Sequence, residues 1–263
     1  SPPSRILEFP ARYLVRFLVN HRMLDPGRRP EWRVVRGGSQ RYVDALRARW
    51  RVRERIGCAV RAVRRDAAGV EIASSAGIER FDQVVLACHG DDALALLTDA
   101  SMREREILGA VEYQPNDTVL HTDANLLPRR REAWAAWNAL IPADGADVCA
   151  VSYCMNLLQS LDATTPIVVT LNRTGQIDPD KILRRMRYRH PAYTHALVAA
   201  QQRKAEIQGV NRTWFAGAYW GWGFHEDGVR SALEVADGLR SRDARMALAH
   251  ADAPAPLCVA GLP

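Results

Sequence analysis

The spacing of hydrophobic and polar residues changes along the chain, and it predicts both strands and helices. A short apolar run at Thr213–Ala216 is followed by a glycine-rich segment and then by apolar residues at helical spacing from Val229 to Leu239. Short apolar runs bounded by turn residues are typical of buried strands, and apolar residues three and four apart indicate an amphipathic helix. The stretch Thr213–Leu239 therefore predicts a strand, a tight turn and a helix, and it is the segment around which we interpret the rest of the chain.

Earlier segments predict further strands. Alternation on both sides of Ala67-Ala68-Gly69 predicts a β-hairpin, and Phe81–Cys88 is a continuous apolar run suited to the centre of a sheet. Between residues 98 and 206, strands and helices mix without the regular order of βαβ units, which favours an α+β region. The strands predicted there are Thr118–Thr122, Val148–Met155 and Ile167–Leu171, and the helices are Met102–Leu108, Pro179–Met186 and Tyr193–Ile207.

Composition and charge narrow the class of protein. The 263 residues suffice for one large domain or two medium ones. Lysine and arginine number 36 against 30 acidic residues, a net charge of +6 that comes almost entirely from arginine. A nucleic-acid patch is one interpretation of this charge. The arginine clusters are scattered and interrupted by apolar residues, however, so we favour solvated faces and expect no nucleic-acid partner.

The cysteines and the hydrophobic runs bear on the cellular compartment. Five cysteines are present, an odd number without metal-ligand spacing, so we predict no metal site and a reducing cytoplasmic location. No apolar run approaches the length of a membrane-spanning helix. The Ala/Pro-rich end of the chain, within residues 241–263, is expected to form a tail.

Two segments of Thr213–Leu239 resemble the C-terminal FAD motif of flavin-containing amine oxidases, which protoporphyrinogen oxidases and carotenoid desaturases share. They are Phe215-Ala216-Gly217 and Gly223-Phe224-His225-Glu226-Asp227-Gly228-Val229. In that family the first segment approaches the FAD pyrophosphate and ribityl chain. The helix after the second segment points its N-terminus at the C2 carbonyl of the flavin. The resemblance therefore implies cofactor contacts at Gly217, Ala218, Gly223, Phe224, His225 and Gly228.

Further segments resemble the same family in the same order. Gly37-Gly38 resembles the glycine pair that leads into a helix beside the cofactor, and the strand at Val60 resembles the one near the adenine of FAD. The resemblance adds Gly37, Gly38 and Val60 to the implied cofactor residues. His190-Pro191-Ala192-Tyr193 is similar to a segment that precedes the last strand. Several short segments also resemble a bacterial subgroup of predicted NAD/FAD-binding proteins.

The family's fold implies how the domains are arranged. The resemblance implies an α/β remnant of an FAD domain at residues 31–97 and 207–240. It also implies a substrate domain with an antiparallel sheet at residues 1–30 and 98–206, so that the fold class is α+β. The Gly-x-Gly-x-x-Gly motif that holds the FAD diphosphate does not occur in the sequence. We therefore expect the chain to be the C-terminal part of a longer flavoprotein, with an unpaired sheet edge through which it associates or dimerises.

The function implied is that of an FAD-dependent oxidoreductase acting on a small molecule. Ala218 departs from the pattern, since many relatives have an acidic residue there, and neither lysine matches the lysine that holds a water at flavin N5. No residue qualifies as the catalytic acid or base, and the substrate remains open among an amine, a polyene and a lipid. The alternative is a non-catalytic binding or interaction module that keeps the flavoprotein fold without a tightly bound flavin.

Overall fold

The computed structural model describes residues 8–25, 27, 31, 33–140 and 150–251, with side chains as far as Arg242. The chain divides into two compact units. The first unit comprises Ser1–Gly57 and Glu112–Val198, and the second comprises Cys58–Val111 and Ala199–Pro263. Both units combine helices with sheets, and the predicted α+β fold class is confirmed.

The helices and strands have the following bounds. In chain order the helices are α1 (Ala11–Asn20), α2 (Gln40–Arg47), α3 (Gly90–Leu96), α4 (Met102–Gly109), α5 (Met155–Leu158), α6 (His195–Gln202) and α7 (His225–Ala251). The strands are β1 (Val60–Asp66), β2 (Gly69–Ser74), β3 (Gly77–Phe81), β4 (Val84–Leu86), β5 (Tyr113–His121), β6 (Trp137–Leu140), β7 (Ala150–Cys154), β8 (Val168–Leu171), β9 (Ile182–Pro191) and β10 (Thr213–Phe215). In the described residues no helix combines the length and the apolar character needed to cross a membrane.

The first unit is built on a five-stranded antiparallel sheet in the order β6-β7-β8-β5-β9. The predicted strands Thr118–Thr122 and Ile167–Leu171 coincide with parts of β5 and β8. The predicted helix at Pro179–Met186 is wrong, because only Pro179–Lys181 form a helical turn and the chain then enters β9. Nine residues of β9 pair with β5, with Met186 opposite Thr118, and this pairing outweighs the local helix signal.

The second unit begins with an antiparallel meander of β1, β2 and β3. The predicted hairpin is confirmed, with Asp66 opposite Gly69 at its end. The Asp66 carboxylate accepts hydrogen bonds from the amides of Ala68 (2.8 Å) and Gly69 (3.0 Å), and it contacts Arg80 on β3 at 2.6 Å. An aspartate that binds backbone amides two and three residues further on stabilises a tight turn.

The same unit contains a pair of parallel strands. Strand β10 lies beside β4 with Thr213 opposite Val84 and Phe215 opposite Leu86, as the resemblance implies for these two segments. Ala216 N–H extends the ladder by donating to Leu86 O at 3.0 Å. Parallel strands occur almost only in sheets with more members and both faces covered, yet among the described residues this sheet has two strands.

Strand β10 packs against α7 through Trp214, which is 8% exposed. Its indole N–H donates to Gln83 Oε1 at 2.8 Å. A Cβ at Gly209 would lie 2.8 Å from this ring, and a Cβ at Gly238 of α7 would overlap it. The ring therefore lies between two glycines, and it sets how closely the helix approaches the strand.

A buried ion pair links three parts of the second unit. Arg65 on β1 binds Glu104 on α4 through two hydrogen bonds of 2.7 and 2.9 Å, and both side chains are 1% exposed. The Arg65 guanidinium also donates to Asp99 (2.9 Å) and to the hydroxyl of Thr213 on β10 (3.0 Å). Glu104 in turn accepts hydrogen bonds from the amide and hydroxyl of Ser101, which caps α4. Burial alone would raise the pKa of Glu104, but the bonds from Arg65 and Ser101 outweigh it and hold that pKa below its usual value.

The boundaries of the units can be compared with the division drawn from sequence. Residues 31–57, placed with the FAD domain in the sequence analysis, belong by contacts to the unit with the five-stranded sheet, and residues 98–111 belong to the other unit. The assignment of one unit to FAD and the other to substrate stays a prediction. Helix α7 continues to Ala251, so the predicted tail at 241–263 begins as helix, and its remainder lies outside the described residues.

We predict that Glu104→Gln destabilises the protein by about 3 kcal/mol, because it leaves the charge of buried Arg65 only partly compensated. The matched control is Glu106→Gln on the same helix. Glu106 pairs with Arg203 at the surface, and such pairs contribute at most about 1 kcal/mol. Urea unfolding at pH 7 measures both variants, and equal losses of unfolding free energy would contradict the proposed weight of the buried pair.

Candidate functional site

The segment between β10 and α7 carries most of the residues that the sequence analysis assigned to the cofactor. It contains two glycines that close packing requires. A Cβ at Gly217 would overlap the ring of Tyr219, and a Cβ at Gly221 would overlap the carboxylate of Asp227. Gly223 is favoured for a different reason: its φ of 89° lies in a region that residues with a side chain seldom adopt. The tight turn predicted from the sequence is present.

Asp227, in the first turn of α7, organises this segment. Its side chain is 4% exposed. One carboxylate oxygen accepts hydrogen bonds from the amides of Trp222 (2.9 Å) and Phe224 (3.0 Å), and the other contacts Arg230. An acidic residue that reaches back to amides before the helix is an N-terminal capping interaction.

The hydrogen bonds within the turn determine which backbone N–H groups are available to a ligand. Besides the two amides held by Asp227, the amide of Gly217 donates to Ser231 Oγ at 2.9 Å and the amide of Gly223 donates to Ala218 O at 3.2 Å. These donors are engaged within the protein, so in this conformation a ligand at the turn meets fewer free N–H groups than the sequence pattern suggests.

The outer surface of the helix start is nevertheless open. A Cβ at Gly228 would have no other atom within 4 Å. Phe224 is 42% exposed, and the side chains of His225 and Glu226 are exposed as well. A planar group can therefore approach the first turn of α7 beside Gly228 without displacing a side chain of the described residues. The local geometry fits a flavin ring at this position.

The other predicted cofactor residues lie in both units. Val60 is the first residue of β1 in the second unit and is 41% exposed. Gly37 and Gly38 belong to the first unit, where they have φ values of 80° and 84° directly before α2. Glycine is favoured at such left-handed positions, so the Gly-Gly pair is explained by its turn.

The first unit contains a cavity of about 1150 Å³. Its wall is largely apolar and includes Gly37 and Trp137. Two arginines also line it, of which Arg33 pairs with Glu31 at 2.8 Å. The remaining apolar lining residues are Met23, Val34, Ala135, Ala136, Leu157, Leu158 and Leu161, and Asp162 adds a second acidic residue beside Glu31. This volume slightly exceeds the range of about 300–1000 Å³ that is typical of small-molecule sites.

Several residues that shape the turn give no signal in the sequence. Gln201 of α6 donates to the carbonyls of Tyr219 (2.9 Å) and Gly221 (2.8 Å), and Ser231 of α7 binds both Gly217 N–H and Gly228 O. The contacts of Gln201 and the contact between Ser231 and Gly217 join residues more than ten positions apart. A glycine-rich turn before a helix indicates that something must hold the backbone, but it does not indicate which polar side chain does so.

Two histidines near the ends of strands, His121 and His89, have different surroundings. His121 at the end of β5 is fully buried; its Nδ1 accepts the amide of Asp123 (3.1 Å), and its Nε2 lies 2.8 Å from the hydroxyl of Thr170. Because Nδ1 accepts, Nε2 carries the proton and donates. Burial lowers the pKa of His121, and the charge of Asp123 opposes this only in part. The other histidine, His89, lies with Asp91 and Asp92 in a group whose ligand atoms are within 4.8 Å of one another, and exposed groups of this kind are common without a metal ion.

The fold can be compared with solved structures. A protein assigned as a protoporphyrinogen oxidase from Exiguobacterium is similar over 88% of this chain and 58% of its own, with a TM-score of 0.61 and 14% sequence identity. A CLA-producing fatty acid isomerase from P. acnes is similar over 76% of this chain and 52% of its own, with a TM-score of 0.56 and 15% identity. A variant of putrescine oxidase is similar over 79% of this chain and 53% of its own, with a TM-score of 0.53 and 11% identity.

These likenesses establish the fold. The chain shares its fold with these three proteins, and it spans a little over half of their length. No family model matches the sequence, and no curated protein matches it.

We predict that the free energy of unfolding falls as pH is lowered from 7.5 to 5.5, in part because of His121. Below about pH 6.5 the unfolded histidine binds a proton while the folded one stays neutral, so the unfolded state is favoured by up to about 1.4 kcal/mol per pH unit. Urea unfolding across this range tests the sign. The His121→Gln variant should show a smaller slope, and a slope equal to that of the wild type would contradict this role.

Proposed function

We propose that the chain is the C-terminal part of an FAD-dependent oxidoreductase similar to amine oxidases. The observation that carries the proposal is the parallel pairing of β10 with β4, followed by a glycine turn that enters α7 with Gly228 open to its surroundings. The resemblance of Phe215–Val229 to the flavin motif and the likeness of the fold both support it. The membership in a subgroup of NAD/FAD-binding proteins and a cytoplasmic location are parts of the same proposal.

The residues of the turn would position the cofactor. Gly228 and Gly223 would allow the flavin to approach the start of α7, and Phe224 would cover one side of the ring. Ala218 and Gly217 would face the ribityl chain, and the strand at Val60 would lie near the adenine. The chemistry that FAD supplies when bound is the acceptance of a hydride from the substrate.

The substrate is a small molecule, and the cavity of the first unit bears on its class. Its apolar wall, with Trp137 and several leucines, suits a substrate with a hydrocarbon body better than a small polar amine. Among the amine, polyene and lipid left open by the sequence, this favours the last two.

The second candidate is a non-catalytic module that retains the fold without a tightly bound flavin. The engagement of the amides of Trp222, Phe224 and Gly223 within the protein favours it, because fewer donors remain for a ligand. Purified protein that carries flavin absorbance supports the enzyme. Colourless protein that FAD cannot reconstitute supports the module.

We predict that the 263-residue chain alone binds FAD more weakly than about 1 μM. A complex of that affinity needs roughly 8 kcal/mol, and a net hydrogen bond to a neutral amide contributes about 1 kcal/mol. The Gly-x-Gly-x-x-Gly loop that would hold the diphosphate is not in this sequence. Flavin fluorescence titrated to millimolar protein measures the affinity, and submicromolar binding would refute the argument from the phosphate loop.

The same titration locates the site. Gly228→Leu should weaken FAD binding at least roughly tenfold, about 1.4 kcal/mol, while thermal stability stays close to that of the wild type because its Cβ meets open space. Gly175→Leu, at a position equally open in the other unit, is the matched control. Equal effects of the two substitutions on FAD affinity would show that the first turn of α7 is not part of the binding site.

We also propose that the parallel sheet accepts a further strand. Val85 at the centre of β4 is 42% exposed, and Val229 and Leu233 on α7 are 54% and 59% exposed. An unpaired edge beside exposed apolar residues is an association hazard. The added strand would come from a nucleotide-binding unit of the longer protein, or from a second copy when the chain is alone.

Light scattering of the chain should therefore detect dimers or larger species. Val85→Lys should shift the population towards monomer, since a charge on an edge strand opposes pairing. The control is Ile78→Lys on β3, an exposed position at the edge of the other sheet of this unit. A strictly monomeric wild type, or dissociation by Ile78→Lys alone, would refute association through β4.

A further inference from the structure

The second unit has a cavity of about 430 Å³ away from the glycine turn. Asn211 and Arg212, which line it, precede strand β10, whereas Gly217 and the cofactor segment follow that strand. The cavity therefore lies at the amino end of the parallel pair. Ligands of open α/β sheets bind at the opposite, carboxyl ends of the strands, so this cavity is separate from the proposed flavin site.

Three arginines and two aspartates line the cavity, so positive charge exceeds negative charge there. Arg65, Asp66 and Asp99 line it, and each has a charged partner: Arg65 binds Glu104 and Asp99, and Asp66 binds Arg80. Arg80 balances the charge of Asp66, whereas the single charge of Arg65 is shared between Glu104 and Asp99, so one carboxylate charge beside the cavity is left uncompensated.

Two further guanidinium groups, those of Arg212 and Arg242, complete the lining. Arg212 donates to the carbonyls of Ala67 (2.8 Å) and Asp82 (3.3 Å), and Arg242 donates to Gly209 O (3.1 Å). Neither has a carboxylate partner among the described residues. Each guanidinium has five N–H donors, so both keep donors and a full positive charge at one cavity.

The backbone at the cavity is held in an uncommon conformation. Asn211 and Arg212 are consecutive residues with φ values of 47° and 59°, in the left-handed region that residues other than glycine seldom occupy. Thr213, which follows them, donates its hydroxyl to Asn211 O and receives a hydrogen bond from Arg65. Such strain persists where the surroundings fix it, and it is concentrated at ligand sites.

We propose that this cavity binds a phosphoryl group, with Arg212 and Arg242 as its ligands. Two fixed guanidinium groups match the oxygen geometry of a phosphate group, and their two charges exceed the one uncompensated carboxylate charge nearby. The backbone carbonyls that hold Arg212 keep its guanidinium at the cavity before a ligand arrives, which reduces the cost of ordering it. A volume of about 430 Å³ also admits the organic part of a small phosphate monoester.

The experiment is calorimetric titration of the protein at about 0.15 M salt with inorganic phosphate and, separately, with phenyl phosphate. Binding of either probe supports the site, and tighter binding of phenyl phosphate shows that the cavity also holds the organic group. Arg242→Gln should reduce the affinity roughly tenfold, which is about 1.4 kcal/mol. The affinity of Arg242→Lys, which keeps the positive charge but loses the planar guanidinium group, should lie between those of the wild type and Arg242→Gln.

Arg240→Gln is the matched control, because Arg240 lies on the same helix, pairs with Asp237 and does not line the cavity. It should leave the affinity within about twofold of the wild type. Thermal unfolding without ligand confirms that each variant is folded. The proposal is overturned if neither probe binds below about 10 mM, or if Arg242→Gln and Arg240→Gln change the affinity equally.

Discussion

The second unit depends on the guanidinium group of Arg65. It binds Glu104 and Asp99 from the α4 region and Thr213 from β10, so that one side chain joins a hairpin strand, a helix and a strand of the parallel pair. A buried pair of this kind adds little net stability compared with apolar residues of the same size, but it strongly penalises arrangements in which either partner loses the other. Its main effect is therefore to specify a single position for β10, and β10 leads directly into the turn that would hold the cofactor.

From that strand the site follows by short steps. Phe215 and Ala216 continue the ladder on β4, Gly217 lets Tyr219 approach, and Asp227 caps the start of α7 by holding amides of the turn. The conformation of the turn is thus fixed by protein contacts. A flavin would meet a preformed surface at Gly228, at the cost of fewer available amides.

The sequence predicted the parts of this arrangement whose signals are local. The hairpin at Asp66–Gly69, the strand at Thr213 and helix α7 each have a period or a turn motif within a short window, and all three were predicted. The helix predicted at Pro179–Met186 failed because β9 is determined by its pairing with β5, which lies more than sixty positions away. Arg65 and Glu104 were missed for the same reason, since an arginine in an alternating strand gives no indication that it is buried.

The indole of Trp214 between Gly209 and Gly238 has a consequence for how the sequence can diverge. A side chain at either glycine would occupy the space of the ring. The indole at position 214 therefore limits which residues positions 209 and 238 can accept. At position 238 a larger residue requires a smaller one at 214, and that exchange would change how closely α7 approaches β10. At Gly209 the φ of 71° disfavours any side chain even then. Among relatives of this chain, covariation of positions 214 and 238 would record changes in the spacing between β10 and α7, the two elements that flank the proposed flavin site.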